Sequence, residues 1–199
     1  MLRFVFKFII CLLLAAGTGI GLLAWRSGDP FYTVFEWLNP ARFQQYDQLI
    51  HAVSATNELD PMLVKAVVWR ESRFDPKKPG AAGERGLMQV SEIAAREWAK
   101  ENRLENFRME ELFDPKTNLE AGAWYLHRAI VHWQKTRDPV PFALAEYNAG
   151  ASRALRWAGN DTKAVAAKTF LANIDFPGTR KYVDSIIARY EFYKQRGRL

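Results

Sequence analysis

An irregular all-α domain behind one apolar N-terminal helix is the fold that this 199-residue chain predicts. Residues 29–199 hold no useful run of alternating polar and apolar positions, whereas apolar residues recur at three- and four-residue spacing between Pro, Gly and capping residues. No period of about 20–50 residues repeats, so the helices belong to one globule and not to a stacked array. With 49% hydrophobic residues the chain has material for a real core, which excludes wholesale disorder.

The first element is a run without charge from Phe8 to Trp25, close to the roughly 20 apolar residues that a bilayer span needs. Residues 1–28 therefore read as a signal-anchor. The alternative is a cleaved signal peptide with Ala15, Ala16 and Gly17 as its small-residue site, but the apolar run continues past it to Trp25. Arg3 and Lys7 before the span, against Arg26 with Asp29 after it, favour a cytoplasmic N-terminus, a single pass through the inner membrane and an exported body. Cys11 packs among lipid tails in this reading. Residues 29–39 form a short connector, too aromatic for a flexible linker, that lies at the headgroup level or packs on the body.

In the body, Asn39-Pro40 opens a helix with Phe43, Tyr46, Ile50 and Val53 on one stripe, and Asp60-Pro61 opens another with a cap-then-Pro signature. Ser91 caps a third that reaches Asn102. Asn118 caps a long fourth, and further helices are expected at 141–147, 151–158, 162–173 and from Thr179 to about Gln195. Trp69, Trp124 and Trp133 fall on apolar stripes and are expected in the core.

Composition also removes function classes. One Cys excludes a disulfide framework or a thiolate metal cluster, and the three His (His51, His127, His132) share no helix face at i, i+4, so neither metal nor other cofactor is expected. The formal charge is +6, but three cations lie in the first 28 residues; the remaining excess, 25 basic against 22 acidic residues, does not argue for nucleic acid.

One position breaks the pattern. The helix from Pro61 is apolar almost all round, and at about 100° per residue Glu71 falls within roughly 60° of Val64, Val67 and Val68. Desolvation there, and the negative end of the helix dipole, both favour the protonated form. Asp75-Pro76 then stops the helix. A half-buried carboxyl that holds a proton near neutrality fits a general acid. The plainer alternative is a solvated Glu paired with Arg70 or Arg73.

Four strings now bear on that choice: Glu71-Ser72-x-Phe74-x-Pro76, Gly83-x-x-Gly86-Leu87-Met88-Gln89, Ala145-x-Tyr147-Asn148-Ala149-Gly150, and Phe176-Pro177-x-Thr179-Arg180-x-Tyr182-Val183. In order and spacing they resemble the motif series of the lytic transglycosylases with a lysozyme-like catalytic domain, over residues 40–195. The resemblance implies a goose-lysozyme-like helical domain with a cleft for the glycan strands of peptidoglycan. It implies that Glu71 is a single catalytic acid/base. The acid would protonate the oxygen between N-acetylmuramic acid and N-acetylglucosamine, then take the proton of the muramic acid C6 hydroxyl as that hydroxyl closes a 1,6-anhydro ring. It further implies substrate-binding roles for Ser72, Met88, Gln89, Tyr147, Asn148 and Tyr182, the Tyr182 hydroxyl aimed at the acid.

The chain departs from the pattern at Lys78, Gly80 and Glu84, where many members carry Ala, Ser and Ala. Gly80 lacks a hydroxyl, and Glu84 and Glu146 add carboxylates near the motifs. If either faced the sugar opposite Glu71 it would activate water, which keeps open a hydrolytic muramidase. A non-catalytic peptidoglycan-binding scaffold is the third reading, and the intact Glu71 argues against it.

Overall fold

The computed structural model describes residues 2–26, 29–160, 162 and 165–197. Met1, Ser27 and Gly28 of the expected anchor lie outside the described residues, as do the side chains of Arg3, Phe8, Trp25 and Arg26. The N-terminal helix α1 runs Leu2–Arg26, yet among the described residues no helix is long and apolar enough to cross a membrane. The elements that follow are α2 (Pro30–Leu38), α3 (Pro40–Gln44), α4 (Asp47–Thr56), α5 (Pro61–Ser72), α6 (Glu92–Glu101), a 3-10 turn (Met109–Phe113), α7 (Pro115–His132), α8 (Pro139–Ala149), α9 (Ala151–Ala158), α10 (Ala167–Asn173) and α11 (Pro177–Arg196). Among the described residues the only β pairing is two isolated bridges, Pro79 with Arg85 and Arg85 with Val90, in the loop after α5.

The centre of the body is α5, as its all-round apolarity requires. Leu63, Val64, Ala66, Val67, Val68 and Trp69 are all buried, and the helix packs between α4 and α11. Its start is set by Asp60, whose side chain accepts from the Met62 N–H at 2.8 Å, with Pro61 at the first position. Lys65 is buried too, paired with Asp47 at 2.7 Å. From there α11 packs on α8, α8 on α7 and α9, and α7 on α6 and α4.

Several expectations are corrected. The helix expected from Pro40 breaks at Tyr46 (φ −105°, ψ 3°) into α3 and α4, although Phe43, Tyr46, Ile50 and Val53 are all buried as their stripe implies. The connector is itself a helix, α2, opened by Asp29-Pro30 with the same cap-then-Pro chemistry as α5. Asn118 does not cap α7: Asp114 does, accepting from the Thr117 N–H at 2.9 Å, and Asn118 is buried inside the helix. The helix expected at 162–173 begins only at Ala167; Asp161, Lys163 and Ala164 lie outside the described residues. Trp69 and Trp133 are core, whereas Trp124 is only partly buried and lines two adjoining surface cavities, of about 470 and 770 Å³, between α4, α6 and α7.

Candidate active site

Glu71 projects from the last turn of α5 beside the buried Val64, Val67 and Val68, as the helix count requires. Its Oε1 accepts a hydrogen bond of 2.6 Å from the Tyr182 hydroxyl in the first turns of α11. Among the described residues no cation lies within ion-pair distance of its carboxylate, so the plainer alternative fails on geometry. Arg70 donates to Ser185 at 3.1 Å and lies over the Tyr182 ring. Arg73 pairs with Asp29 at 2.9 Å. Burial pushes the Glu71 carboxyl up to about 7; the Tyr182 hydrogen bond and the charges of Arg70 and Lys78 pull it down, and Glu84 adds a push upward.

The end of α5 is fixed by unusual backbone. Arg73 and Phe74 are both left-handed, at φ 56° and 62°, a conformation non-glycine residues adopt only when their surroundings hold them there. Those surroundings are visible. The Arg73 guanidinium donates to the Trp69 carbonyl at 2.9 Å and lies 3.7 Å from the centre of the Trp69 ring, while Phe74 is buried against Phe43. Burial lowers the Arg73 pKa to about 10 against the opposing pull of Asp29. The ammonium of Lys78 donates to the Glu71 carbonyl, a cation on one of the last carbonyls of the helix.

The loop facing Glu71 is held by a residue that sequence reasoning assigned elsewhere. Asn118 accepts from the Met88 N–H at 2.7 Å and donates to the carbonyls of Arg85 (2.7 Å) and Leu112 (2.8 Å). Gly86, at φ 75°, leaves room for it, since a Cβ there would stand 2.4 Å from the Asn118 amide nitrogen. Gln89, at φ 48°, donates its amide to the carbonyls of Lys78 (2.9 Å) and Gly86 (3.1 Å), closing the loop on itself. The Tyr147 hydroxyl donates to the Met88 carbonyl at 2.9 Å and so ties α8 to the same loop. The phenols of the part-buried Tyr147 and the buried Tyr182 are both held well above their usual range, first by desolvation and then by the Glu71 charge, so both stay protonated donors.

The site residues divide accordingly. Glu71 and Tyr182 are in direct contact. Gln89 closes the facing loop, Tyr147 of α8 holds it through Met88, and Asn148 is exposed, its Oδ1 accepting from Thr179 at 2.7 Å. Ser72 is buried and donates back to the Val68 carbonyl at 3.3 Å, so its hydroxyl serves its own helix. Met88 is fully buried and packs where Gly122 lacks a side chain, so its side chain belongs to the core and only its backbone faces Tyr147. Glu146 is buried too, its Oε2 accepting from the Trp133 indole at 2.8 Å and lying 2.6 Å from His132 Nδ1. Glu84 fills the space over Gly80, where a Cβ would lie 2.2 Å from its Oε2, and accepts from the Ala82 N–H.

A part-buried carboxyl at a helix end, hydrogen-bonded to a phenol from a distant helix, marks a candidate acid site in an all-helical domain. The chain belongs to the transglycosylase SLT domain family, whose model matches residues 48–170. It is 29% identical over 150 residues to the soluble lytic murein transglycosylase of Escherichia coli K12, covering 75% of this chain and 23% of that protein. It is 31% identical over 139 residues to the membrane-bound lytic murein transglycosylase F of Desulfosudis oleivorans, covering 63% of this chain and 29% of that protein. The crystal structure of the 70 kDa soluble lytic transglycosylase of E. coli superposes with a TM-score of 0.68 at 28% identity, over 76% of this chain and 24% of that one. A complex of the 70-kDa soluble lytic transglycosylase with bulgecin A superposes with a TM-score of 0.72 at 27% identity, over 83% of this chain and 26% of that one. The chain thus spans about a quarter of the length of the soluble relatives it matches.

Proposed function

We propose that this protein is a peptidoglycan lytic transglycosylase of the bacterial cell envelope, held to the inner membrane by α1, with Glu71 as its single acid/base. The observation that carries this is the Glu71 carboxyl itself, burial-raised to about 7, without an ion pair among the described residues and hydrogen-bonded to Tyr182 at 2.6 Å. Such a group is protonated often enough to give its proton to the glycosidic oxygen and, once ionised, recovers one from the C6 hydroxyl of the muramic acid. Attack by that hydroxyl from within the same sugar consumes no water, so no second carboxylate is needed. Glu146, with one oxygen engaged by Trp133 and His132, is poorly placed to act as one.

Site roles follow the geometry. Tyr182 orients the acid and tempers its pKa, and the exposed Asn148 keeps its amide N–H groups for sugar. Gln89 presents its remaining oxygen near Gly80, and Ser72 and Met88 support the wall from behind. Glu84 favours a second reading, a hydrolytic muramidase, because its charge bears on Glu71 and its carboxylate lies over Gly80.

Mass spectrometry of peptidoglycan digested by the purified protein separates the readings. Ends lighter by one water support the lytic reaction, reducing ends the hydrolytic one, and uncut strands overturn both. Glu71→Gln is expected to lower the cutting rate by about 10³-fold or more. Bulgecin A, found in complex with a solved 70-kDa soluble lytic transglycosylase, is expected to inhibit the wild type.

A further inference from the structure

The helix between anchor and body has two unlike faces. Thr33 and Glu36 point inward and are buried: Arg189 of α11 donates to the Thr33 hydroxyl at 2.8 Å and to Glu36 Oε2 at 3.0 Å. At the start of α2, Asp29 pairs with Arg73, two residues beyond Glu71. The outward face carries Phe31 (74% exposed), Val34 (39%) and Leu38 (74%) at i, i+3 and i+7, one continuous apolar stripe. The other large apolar side chains exposed on the body, Ile93, Leu104, Val131, Leu155 and Phe176, are scattered over separate segments. The main packing partner of α1 is α2, and α1 itself exposes Phe6, Ile9, Leu12, Leu14 and Leu22. Both α1 and α2 thus expose apolar side chains, and exposed apolar surface of that kind marks a contact with another apolar phase.

We propose that α2 is an interfacial helix: Phe31, Val34 and Leu38 rest in the headgroup region of the bilayer that holds α1, while the Arg189–Glu36 and Arg73–Asp29 contacts clamp its opposite face to the body. This rests on the anchoring proposed above. Helices of this kind bury their apolar face about 5–10 Å into the headgroup and acyl boundary. Because the clamp ends two residues from Glu71, the acid is held at one height and tilt over the membrane. The substrate class it selects is glycan lying against the membrane, above all strands still linked to lipid, and not free wall fragments.

The test uses the full chain with Cys11→Ser, reconstituted in phosphatidylethanolamine and phosphatidylglycerol vesicles, with one fluorophore-labelled cysteine from Phe31→Cys, Leu38→Cys or Glu105→Cys. Spin-labelled lipids are expected to quench positions 31 and 38 and to spare 105. A chain washed out by alkaline carbonate overturns the anchoring and this proposal together. A chain retained with position 38 unquenched, or with position 38 cross-linking to a second copy, overturns this proposal alone. Quenching needs no turnover, so it decides the matter even for a chain that fails to cut peptidoglycan. The double variant Phe31→Ser with Leu38→Ser is expected to keep carbonate-resistant retention and wild-type cutting of free strands in detergent, and to lose several-fold in rate on lipid-linked strands in the same vesicles. Equal loss on both substrates overturns the proposal.

Discussion

Glu71, part-buried, and Glu36, buried, are both desolvated carboxylates beside the same two helices, α5 and α11, yet their surroundings give them opposite uses. Desolvation raises the pKa of each. At Glu36 the push is opposed by Arg189 at 3.0 Å, then by Lys65, Arg196 and the Tyr193 hydroxyl, so the group is one end of a charged clamp. At Glu71 the nearest donor is a neutral phenol, and Arg70 and Arg73, the cations closest in sequence, are drawn away to Ser185 and Asp29. A buried acid becomes a proton carrier when its cations are engaged elsewhere, and a structural tie when one is delivered to it.

The sharpest way to break that contrast is to remove the clamp's cation. Arg189→Met leaves the buried Glu36 with only the long 4.0 Å contact to Arg196, and is expected to cost about 3 kcal/mol, a fall of roughly 10 °C in Tm by calorimetry. Joining it to Glu36→Leu is expected to restore most of the loss, because apolar packing replaces the pair without a stranded charge.

A smaller effect of opposite sign is expected at the other carboxylate. The folded pKa of Glu71, about 7, lies above its ordinary 4.5, so its contribution to stability is complete below about 4.5 and is lost as pH rises through 7. Glu71→Gln should therefore stabilise the protein at pH 8, by on the order of 2–3 kcal/mol, and match the wild type at pH 4 in denaturant titrations. A gain that does not depend on pH would mean that the carboxyl is not the strained group.

The mildest change tunes the acid without removing it. Activity that requires protonated Glu71 declines on the alkaline side with a midpoint near 7. Tyr182→Phe removes a donor that favours the charged form, so that limb is expected to move upward by about one unit, read from the pH profile of kcat/KM.

Much of this was legible in the chain. Asp60-Pro61 marks the start of α5, the apolar positions around it place Glu71 on a buried face, and the order of the four motifs points to the family before any coordinate is known. The same reading missed α2 and the start of α7, although Asp29-Pro30 and Asp114-Pro115 carry the signature used at Asp60. It misassigned Asn118, because an Asn before an apolar stripe looks like a cap whether or not its amide is needed elsewhere. The return of the Ser72 hydroxyl to Val68 and the fit of the Met88 thioether into the gap at Gly122 were not legible in the chain.

What the sequence determined by itself is local: which residues turn toward the core, where helices start under capping chemistry, and that one acid falls on an apolar face. Such features depend on neighbours within a turn or two. Tertiary structure decided who meets whom: Tyr182 and Glu71 across 111 positions, Arg73 and Asp29 across 44, Asn118 and Met88 across 30. Helical period fixes the direction a side chain leaves its helix but carries no record of what it finds there. The electrostatic character of Glu71 is set by those encounters.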